Sequence, residues 1–511
     1  SNIVEYSLVF IFMFTMLTFK LLSSDINYQI LVSSLHLSSV TKVYLILMQG
    51  YILLSVLSEI GRANTKFFNL SLPPAALFML SFLLVIITGS LLLMLPGATN
   101  GNGISFLNSL FTATSATCVT GLIVVPTGTF FTTFGKSVIL VLIQLGGLGL
   151  MTFATFFALI LRREFNMRHR VLLGDILDID VFSKIKSMIT GIILITIFAE
   201  LSGAILIYIN VRDFVDKPIF FSLFHSVSAF CNAGFSTIDS NLEPFFDNVN
   251  INFIVSTLII FGGLGFVVML DLLRFFSRLP SNLFLKRTRF SLQSKSVILM
   301  SILLITLGTC AILFLNYDNP FFGERFSQKL LSSYFHSVST RTAGFNTIPI
   351  NEMASGSIFF MMILMFIGAS PGSTGGGIKT TTMLSLYALL RARLSGFSDI
   401  PLFNRSIPLE IVRDAGLIVV LALSLILMGT LVLVVTEPDM PFEYILFEEI
   451  SAFATVGLSC GITDKLSDVG RIVIIITMFL GRIGPLTFLF AIAGKRKNKR
   501  IRNLDEKIMI G

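Results

Sequence analysis

The sequence predicts an all-α integral membrane protein: four pseudo-symmetric modules of span, pore helix, loop and span around one central pore, plus about two extra N-terminal helices. Three observations predict it. Of 511 residues, 54% are hydrophobic and only 13% charged, with a mean hydropathy of +0.87. A water-soluble chain of this length needs more charge on its surface, so the bilayer is its main solvent. Continuous apolar runs of about 20 residues recur, each long enough to cross a hydrocarbon core of about 30 Å as a helix. Finally, a sequence motif returns four times in order.

The repeat organises the chain. Phe224-His225-Ser226-Val227-Ser228 recurs letter for letter as Phe335-His336-Ser337-Val338-Ser339, and each copy leads into Ala-Gly-Phe, at Ala233-Gly234-Phe235 and Ala343-Gly344-Phe345. Related segments are Ser115 to Leu122 and Ser451 to Leu458. The glycines Gly121, Gly234, Gly344 and Gly457 stand about 110 residues apart, the period of two spans and a loop. A second glycine marker follows each by roughly two dozen residues: Gly146-Gly147-Leu148-Gly149, Gly262-Gly263-Leu264-Gly265, Gly368, and Gly481-Arg482-Ile483-Gly484.

These markers set the elements. First spans are expected at Ala75–Leu95, Met188–Ile209, Ser296–Leu315 and Asp414–Val435. Half-helices too short to cross are expected at Ser105–Ala116, Pro218–Ala229, Lys329–Ser339 and Tyr444–Ala454. Second spans follow at Val138–Leu161, Val249–Phe276, Ser357–Ala369 with a continuation to Leu390, and Arg471–Ala493. The boundaries drawn are 1–70 for the N-terminal helices (apolar runs Val4–Leu22 and Val43–Leu57), 71–170, 171–290, 291–400 and 401–494 for the modules, and 495–511 for a basic tail. Val4–Leu22 lacks a basic leader and cleavage site, so it is read as a span or interfacial helix.

The net charge of +8 does not indicate nucleic acid, because the basic residues cluster in particular connections. They fall at Arg162 to Arg170, Arg274 to Lys295, Arg391 to Arg405 and Lys495 to Arg502, while Pro96 to Gly135 carries no Lys or Arg. The positive-inside rule places the basic connections and the C-terminus in the cytoplasm of a cell-membrane protein that also contacts anionic lipid. Four separated cysteines offer neither a disulfide framework nor a zinc site, and no catalytic constellation is present, so no enzyme is indicated. Gly372 to Gly377 imitates a phosphate loop, but Ile378 displaces the required lysine.

Four extended loops with a glycine apiece suit a desolvated cation. They can supply rings of backbone carbonyls, with glycine allowing the dihedrals that turn those carbonyls inward. Half-helices ending near mid-membrane add partial negative charge there. Close helix packing alone accounts for one glycine loop, not for four in order. The candidate residues are Thr117, Cys118, Val119, Thr120, Gly121; Cys231, Asn232, Ala233, Gly234; Thr342, Ala343, Gly344; and Ala454, Thr455, Val456, Gly457. Thr117, Thr120, Ser228, Asn232, Thr342 and Thr455 are expected to brace the strands. In the third module, Gly368, Ser370, Pro371, Gly372, Ser373, Thr374, Gly375, Gly376, Gly377 and Lys379 interrupt the helix, which places a flexible loop in the pore as a gate.

Taken together, the four loops, this insertion and Gly481-Arg482-Ile483-Gly484-Pro485-Leu486-Thr487 resemble the Trk/Ktr/HKT superfamily of cation transporters, the bacterial KtrB and TrkH membrane subunits above all, over about residues 70 to 493. The resemblance implies K+ as the transported ion at the filter carbonyls, since Gly121 stands where a serine goes with sodium permeation. It also implies that Arg482 lies beneath the filter against the gate loop as an electrostatic obstacle. Further implications are a homodimer and a cytosolic nucleotide-binding ring of the KtrA/TrkA type. ATP, ADP or NAD would bind that partner, leaving no organic cofactor here. Na+- or H+-coupled K+ symport is the alternative mechanism, and a non-transporting membrane enzyme or assembly protein the rival class. Of the other intramembrane polar groups, Glu200 is expected to tie helices together and Asp271 to pair with basic side chains. Glu448 and Glu449 are read as attracting cations or as hydrogen-bonded structural groups, and His225 and His336 as equivalent packing positions.

Overall fold

Capping residues set most helix starts. In the computed structural model, which describes residues 74–101, 103–149, 185–277, 290–403, 405–485 and 487–489, side chains of Ser105, Thr132, Asn248, Ser291 and Ser467 accept hydrogen bonds from backbone N–H groups of the first turns they precede. Pro218 opens another helix, where its missing N–H is harmless. The chain divides into two compact units, Ser1–Glu59 and Ile60–Gly511. The first unit, with the two helices expected in residues 1–70, lies outside the described residues, as do the basic runs at 162–170 and 495–502.

Within the second unit the helices recur in the expected order. Module one has α1 (Pro74–Leu93), α2 (Phe106–Thr117) and α3 (Thr133–Gly147). Module two has α4 (Ile185–Val211), α5 (Pro218–Cys231), α6 (Val249–Leu264) and α7 (Phe266–Ser277). Module three has α8 (Leu292–Leu315), α9 (Phe326–Thr340), α10 (Ser355–Phe366) and α11 (Thr380–Leu394). Module four has α12 (Leu409–Thr436), α13 (Phe442–Ala454) and α14 (Asp468–Ile483). A two-residue hairpin pairing Pro401–Leu402 with Arg405–Ser406 is the one named sheet among the described residues.

Burial separates the two helix types. Thr190–Val211, Leu292–Leu315 and Leu409–Thr436 are long and apolar enough to cross a bilayer, and they expose large side chains such as Phe198 (75%), Phe314 (82%) and Val435 (73%). Such faces are stable only against hydrocarbon. The half-helices α2, α5, α9 and α13 have 12, 14, 15 and 13 residues, too few to span, and sit at the centre. Phe111, Phe224, Phe335 and Phe447 hold matching places on them, all fully buried.

The expected second spans Val138–Leu161, Val249–Phe276 and Arg471–Ala493 are each corrected at a glycine marker. Val249–Phe276 is not one helix: α6 and α7 meet at Gly265 with a bend of 104°. Gly265 takes φ +89°, open to glycine at little strain. The carbonyls of Gly262 and Gly263 turn to another module, accepting from Thr374 N at 3.3 Å and Ser370 N at 3.2 Å. The same marker stops α3 before Gly149 (φ +73°) and α14 before Gly484 (φ +88°). Its first glycine serves packing. A Cβ on Gly146, Gly262 or Gly481 would strike the carbonyl of Thr117, Phe230 or Phe453, each in the last turn of the half-helix it crosses.

Candidate ion filter and gate

The loops after the half-helices meet as a closed ring. A Cβ on Gly121 would run into Ala233 O and Gly234 Cα, one on Gly234 into Ala343 O and Gly344 Cα, one on Gly344 into Val456 O and Gly457 Cα, and one on Gly457 into Thr120 O and Gly121 Cα. Each strand thus abuts the next, and the fourth returns to the first. All four glycines are left-handed, with φ +99°, +68°, +75° and +92° in chain order. Any other residue here meets both backbone strain and a neighbouring backbone.

One serine holds each strand. The carbonyls of Ser115, Ser228, Ser339 and Ser451 accept from the N–H of Thr120, Ala233, Ala343 and Val456, the residue before each glycine, at 2.8–2.9 Å. The hydroxyls divide in two. Those of Ser115 and Ser451 accept from Gly121 N and Gly457 N at 3.0 and 3.1 Å, whereas those of Ser228 and Ser339 donate to Phe235 O and Phe345 O at 2.8 and 2.5 Å. Strands one, two and four carry a second left-handed residue two places before the glycine: Val119, Asn232 and Thr455. Alternating left-handed and extended residues swing successive carbonyls to one side. The third strand, one residue shorter between serine and glycine, is left-handed at Gly344 alone.

Beneath the ring lies the glycine-rich segment of module three. Besides its bonds to Gly262 and Gly263, its Gly372 carbonyl accepts from Phe266 N at 3.0 Å, at the start of α7. Thr374 Oγ1 lies 3.0 Å from the Asn232 amide and donates to Phe230 O at 3.2 Å. Gly375 sits against Thr342, and Gly376 against Thr455. Arg482 donates through one Nη to Thr374 O and through the other to Gly146 O. Its guanidinium therefore caps the negative end of α3 while clasping the loop. Lys379 Nζ donates to Gly375 O at 2.8 Å. The loop is held by modules two, three and four directly and is tied to module one through Arg482.

The TrkH family, described as cation transport protein, matches residues 48–500. The chain belongs to the TrkH family. Ktr system potassium uptake protein B of Bacillus subtilis is 39% identical over 442 residues, covering 86% of this chain and 97% of that protein. Potassium/sodium uptake protein NtpJ of Enterococcus hirae is 34% identical, covering 86% and 98%. The crystal structure of the potassium transporter TrkH from Vibrio parahaemolyticus shares the fold, with a TM-score of 0.66, 18% identity and coverage of 81% and 84%. The protein is accordingly an all-α membrane protein of the Trk/Ktr superfamily.

Around this TrkH-family centre, several expected roles change. The threonines do not all brace the ring: among the described residues the buried hydroxyls of Thr117, Thr120 and Thr455 have no hydrogen-bond partner, and the repeated serines do that work. Of these only Ser228 was named as a brace, although all four are fixed letters of the repeat. Asn232 does brace, through Thr374. Of the two readings of Glu448 and Glu449, the hydrogen-bonded structural one holds, since both are fully buried. Glu448 accepts from Ser459 Oγ at 2.7 Å and from Thr463 Oγ1, and Glu449 accepts from Thr477 Oγ1 at 2.8 Å. Asp271 pairs with Arg274 at 3.9 Å as expected, and also accepts from Ser291 and Ser294 at 2.9 and 2.7 Å.

Other readings stand as made. Glu200 links helices, accepting from Gln144 at 3.3 Å with Cys231 Sγ at 3.9 Å. His225 and His336 make the same bond, Nδ1 to the carbonyl four residues back at 2.9 Å. Arg341 was missed. It is 5% exposed at the base of the third strand and donates to Ser301 O at 3.4 Å. An arginine inside a repeated intramembrane loop was the available signal. Among the described residues, none of Arg341, Lys379 and Arg482 forms an ion pair.

Outside the ring opens a vestibule of about 480 Å³, lined from all four modules and carrying Asp239, Glu243 and Asp464 without a Lys or Arg. Partial burial pushes the Glu243 carboxyl above the usual glutamate range, opposed by the Asn346 amide donating at 3.0 Å.

Proposed function

We propose that this chain is the membrane subunit of a potassium uptake system, passing K+ through the four-strand ring into the cell. The observation that carries the reading is the closed cycle of Gly121, Gly234, Gly344 and Gly457, each left-handed and each against the next. The carbonyls around those glycines replace the water of an entering K+. The acidic vestibule raises the local cation concentration, and the inner ends of the half-helices favour positive charge below the ring. The segment Gly368 to Thr380 is the gate. Arg482 holds it shut and sets a positive charge in the path.

Names of the relatives support the ion: those of Bacillus subtilis are lettered potassium uptake proteins of a Ktr system. On this reading the chain is no enzyme. It works as a homodimer in the cell membrane, with basic connections and C-terminus cytoplasmic, against a nucleotide-binding regulatory ring that carries ATP, ADP or NAD. The modules 71–170, 171–290, 291–400 and 401–494 are its repeating units.

A second reading, K+ uptake coupled to Na+ or H+, draws on the relative named potassium/sodium uptake protein. Proteoliposome flux separates the two: uptake that follows the K+ gradient alone supports the channel-like reading, and a requirement for a second ion supports coupling. The filter itself is tested by Gly121→Ser. The expected outcome is a loss of K+ over Na+ preference by on the order of tenfold, about 1.4 kcal/mol of discrimination. An unchanged preference would remove the ring from the mechanism.

A further inference from the structure

On the outer surface of module two, α4, α6 and α7 enclose a groove of about 480 Å³ that the ion path does not use. Its walls are Phe198 and Leu206 of α4, Thr257 and Phe261 of α6, and Met269 and Leu272 of α7, and Phe230 of the half-helix also lines it. No charged side chain lines it. The two polar side chains present are satisfied within their own helices: Ser202 Oγ donates to Ala199 O at 3.0 Å and Thr257 Oγ1 to Phe253 O at 2.7 Å. Nothing in the groove recruits water, so it is a dry site.

Its position is as telling as its lining. The groove opens on the strip of α4 that carries exposed Phe198, Leu201, Ile205 and Ile209, a face of a membrane-crossing helix that meets hydrocarbon. It is continuous with the protein–bilayer boundary, and the hydrocarbon at that depth is acyl chain. Its volume falls within the range of about 300–1,000 Å³ that holds one extended or drug-sized apolar ligand. It is lined by α6 up to Phe261 and by α7 from Met269, on either side of the 104° bend at Gly265. Across that bend stands the gate loop: Phe266 N donates to Gly372 O, and the Phe230 carbonyl accepts from Thr374.

We infer that the groove is a binding site for a single acyl chain of a bilayer lipid, wedged behind the bend that carries the gate loop. An occupied wedge holds α6 and α7 apart and so biases the backbone to which the loop is bonded. The inference needs only the membrane setting, and its test needs no transport, so it stands or falls separately from the proposed ion path.

The full chain contains no tryptophan, so one introduced indole is a sole reporter. Met269→Trp and, as a second reporter, Leu272→Trp lie inside the groove, while Leu427→Trp, 65% exposed on α12, marks an ordinary lipid-facing site. Each variant is reconstituted in phosphatidylcholine vesicles with acyl chains brominated at mid-depth. Both groove reporters should be quenched to within about twofold of the reporter at 427, because hydrocarbon fills apolar space in a bilayer. Adding Ser202→Phe, which fills the groove, should lower quenching at 269 and leave 427 unchanged. Groove reporters that escape quenching while 427 is quenched overturn the inference, as does quenching at 269 that Ser202→Phe does not alter. Protection at 269 that is lost when protein is diluted into excess lipid would assign the groove to a second copy of the chain, again against an acyl chain.

Discussion

Modules one, two and four differ from module three in two places, and both lie on the proposed ion path. In the three similar modules, the ring glycine stands six positions after the bracing serine and two left-handed residues turn the strand. In module three the interval is one shorter, with a single left-handed residue. Below the ring, the second helices of modules one, two and four stop or bend at a glycine. Module three instead extends into the loop, which modules two and four hold directly and module one only through Arg482. A ring must be built alike on every side to surround an ion. A gate works from one side, so the fourfold pattern can break there without opening the ring.

This contrast can be broken experimentally, and the largest effect is expected at the ring itself. Gly344→Ala places a Cβ against Val456 O at φ +75°, a strain of about 1–3 kcal/mol before the clash is counted. K+ uptake in a transport-deficient host should fall to background with the protein still in the membrane. Near-normal uptake would show that the short strand is not part of the ring.

Next comes the loop. Arg482→Gln removes two charge-assisted hydrogen bonds, to Thr374 O and Gly146 O, each worth about 1.5–3 kcal/mol. Basal K+ flux through proteoliposomes without any partner should rise by on the order of tenfold, with K+ over Na+ preference retained. Unchanged flux would dissociate the arginine from the gate.

Smaller differences are expected among the serines. Ser451→Ala strands the Gly457 N–H, and Ser115→Ala the Gly121 N–H, at about 1–3 kcal/mol each. Ser228→Ala and Ser339→Ala each deprive a carbonyl of a hydroxyl donor, a milder loss because buried C=O groups tolerate under-satisfaction better than N–H groups. Selectivity ratios should therefore fall further in modules one and four than in two and three. An equal fall in all four would refute the division.

The smallest effect concerns the vestibule. Because burial raises the Glu243 carboxyl, it takes up its proton at higher pH than an ordinary glutamate and loses its negative charge earlier on acidification. The apparent affinity for external K+ should weaken by less than about twofold as pH falls, given screening at physiological salt. Glu243→Gln should flatten that dependence, and a profile identical to the unsubstituted chain would clear Glu243 of any part in it.

How much was legible beforehand depends on the kind of residue. The first spans and half-helices could be placed within a few residues, since length and apolar continuity decide them. Arg482 could be singled out because a charge inside an apolar run has few tolerable positions. The break at Gly265 could not, because helix propensity alone does not forbid a glycine pair within a buried helix. What decides it is a set of N–H donors from a segment about 110 residues later, which claim the carbonyls of Gly262 and Gly263. The choice between the two readings of Glu448 was open for a similar reason: its hydroxyl partners, Ser459 and Thr463, come from the chain beyond the ring.

By itself, then, the amino-acid order determined the solvent of this protein, the fourfold plan, and which glycines and charges are special, because hydrophobic run length and repeated spacing are local properties. The tertiary structure alone decided that Gly121, Gly234, Gly344 and Gly457 close into one ring, that the repeated serines hold it, and that the loop of module three is bonded into module two and clasped by Arg482 of module four. Those relations depend on which backbone donors and acceptors meet once water is excluded, and no spacing along a single chain encodes them directly.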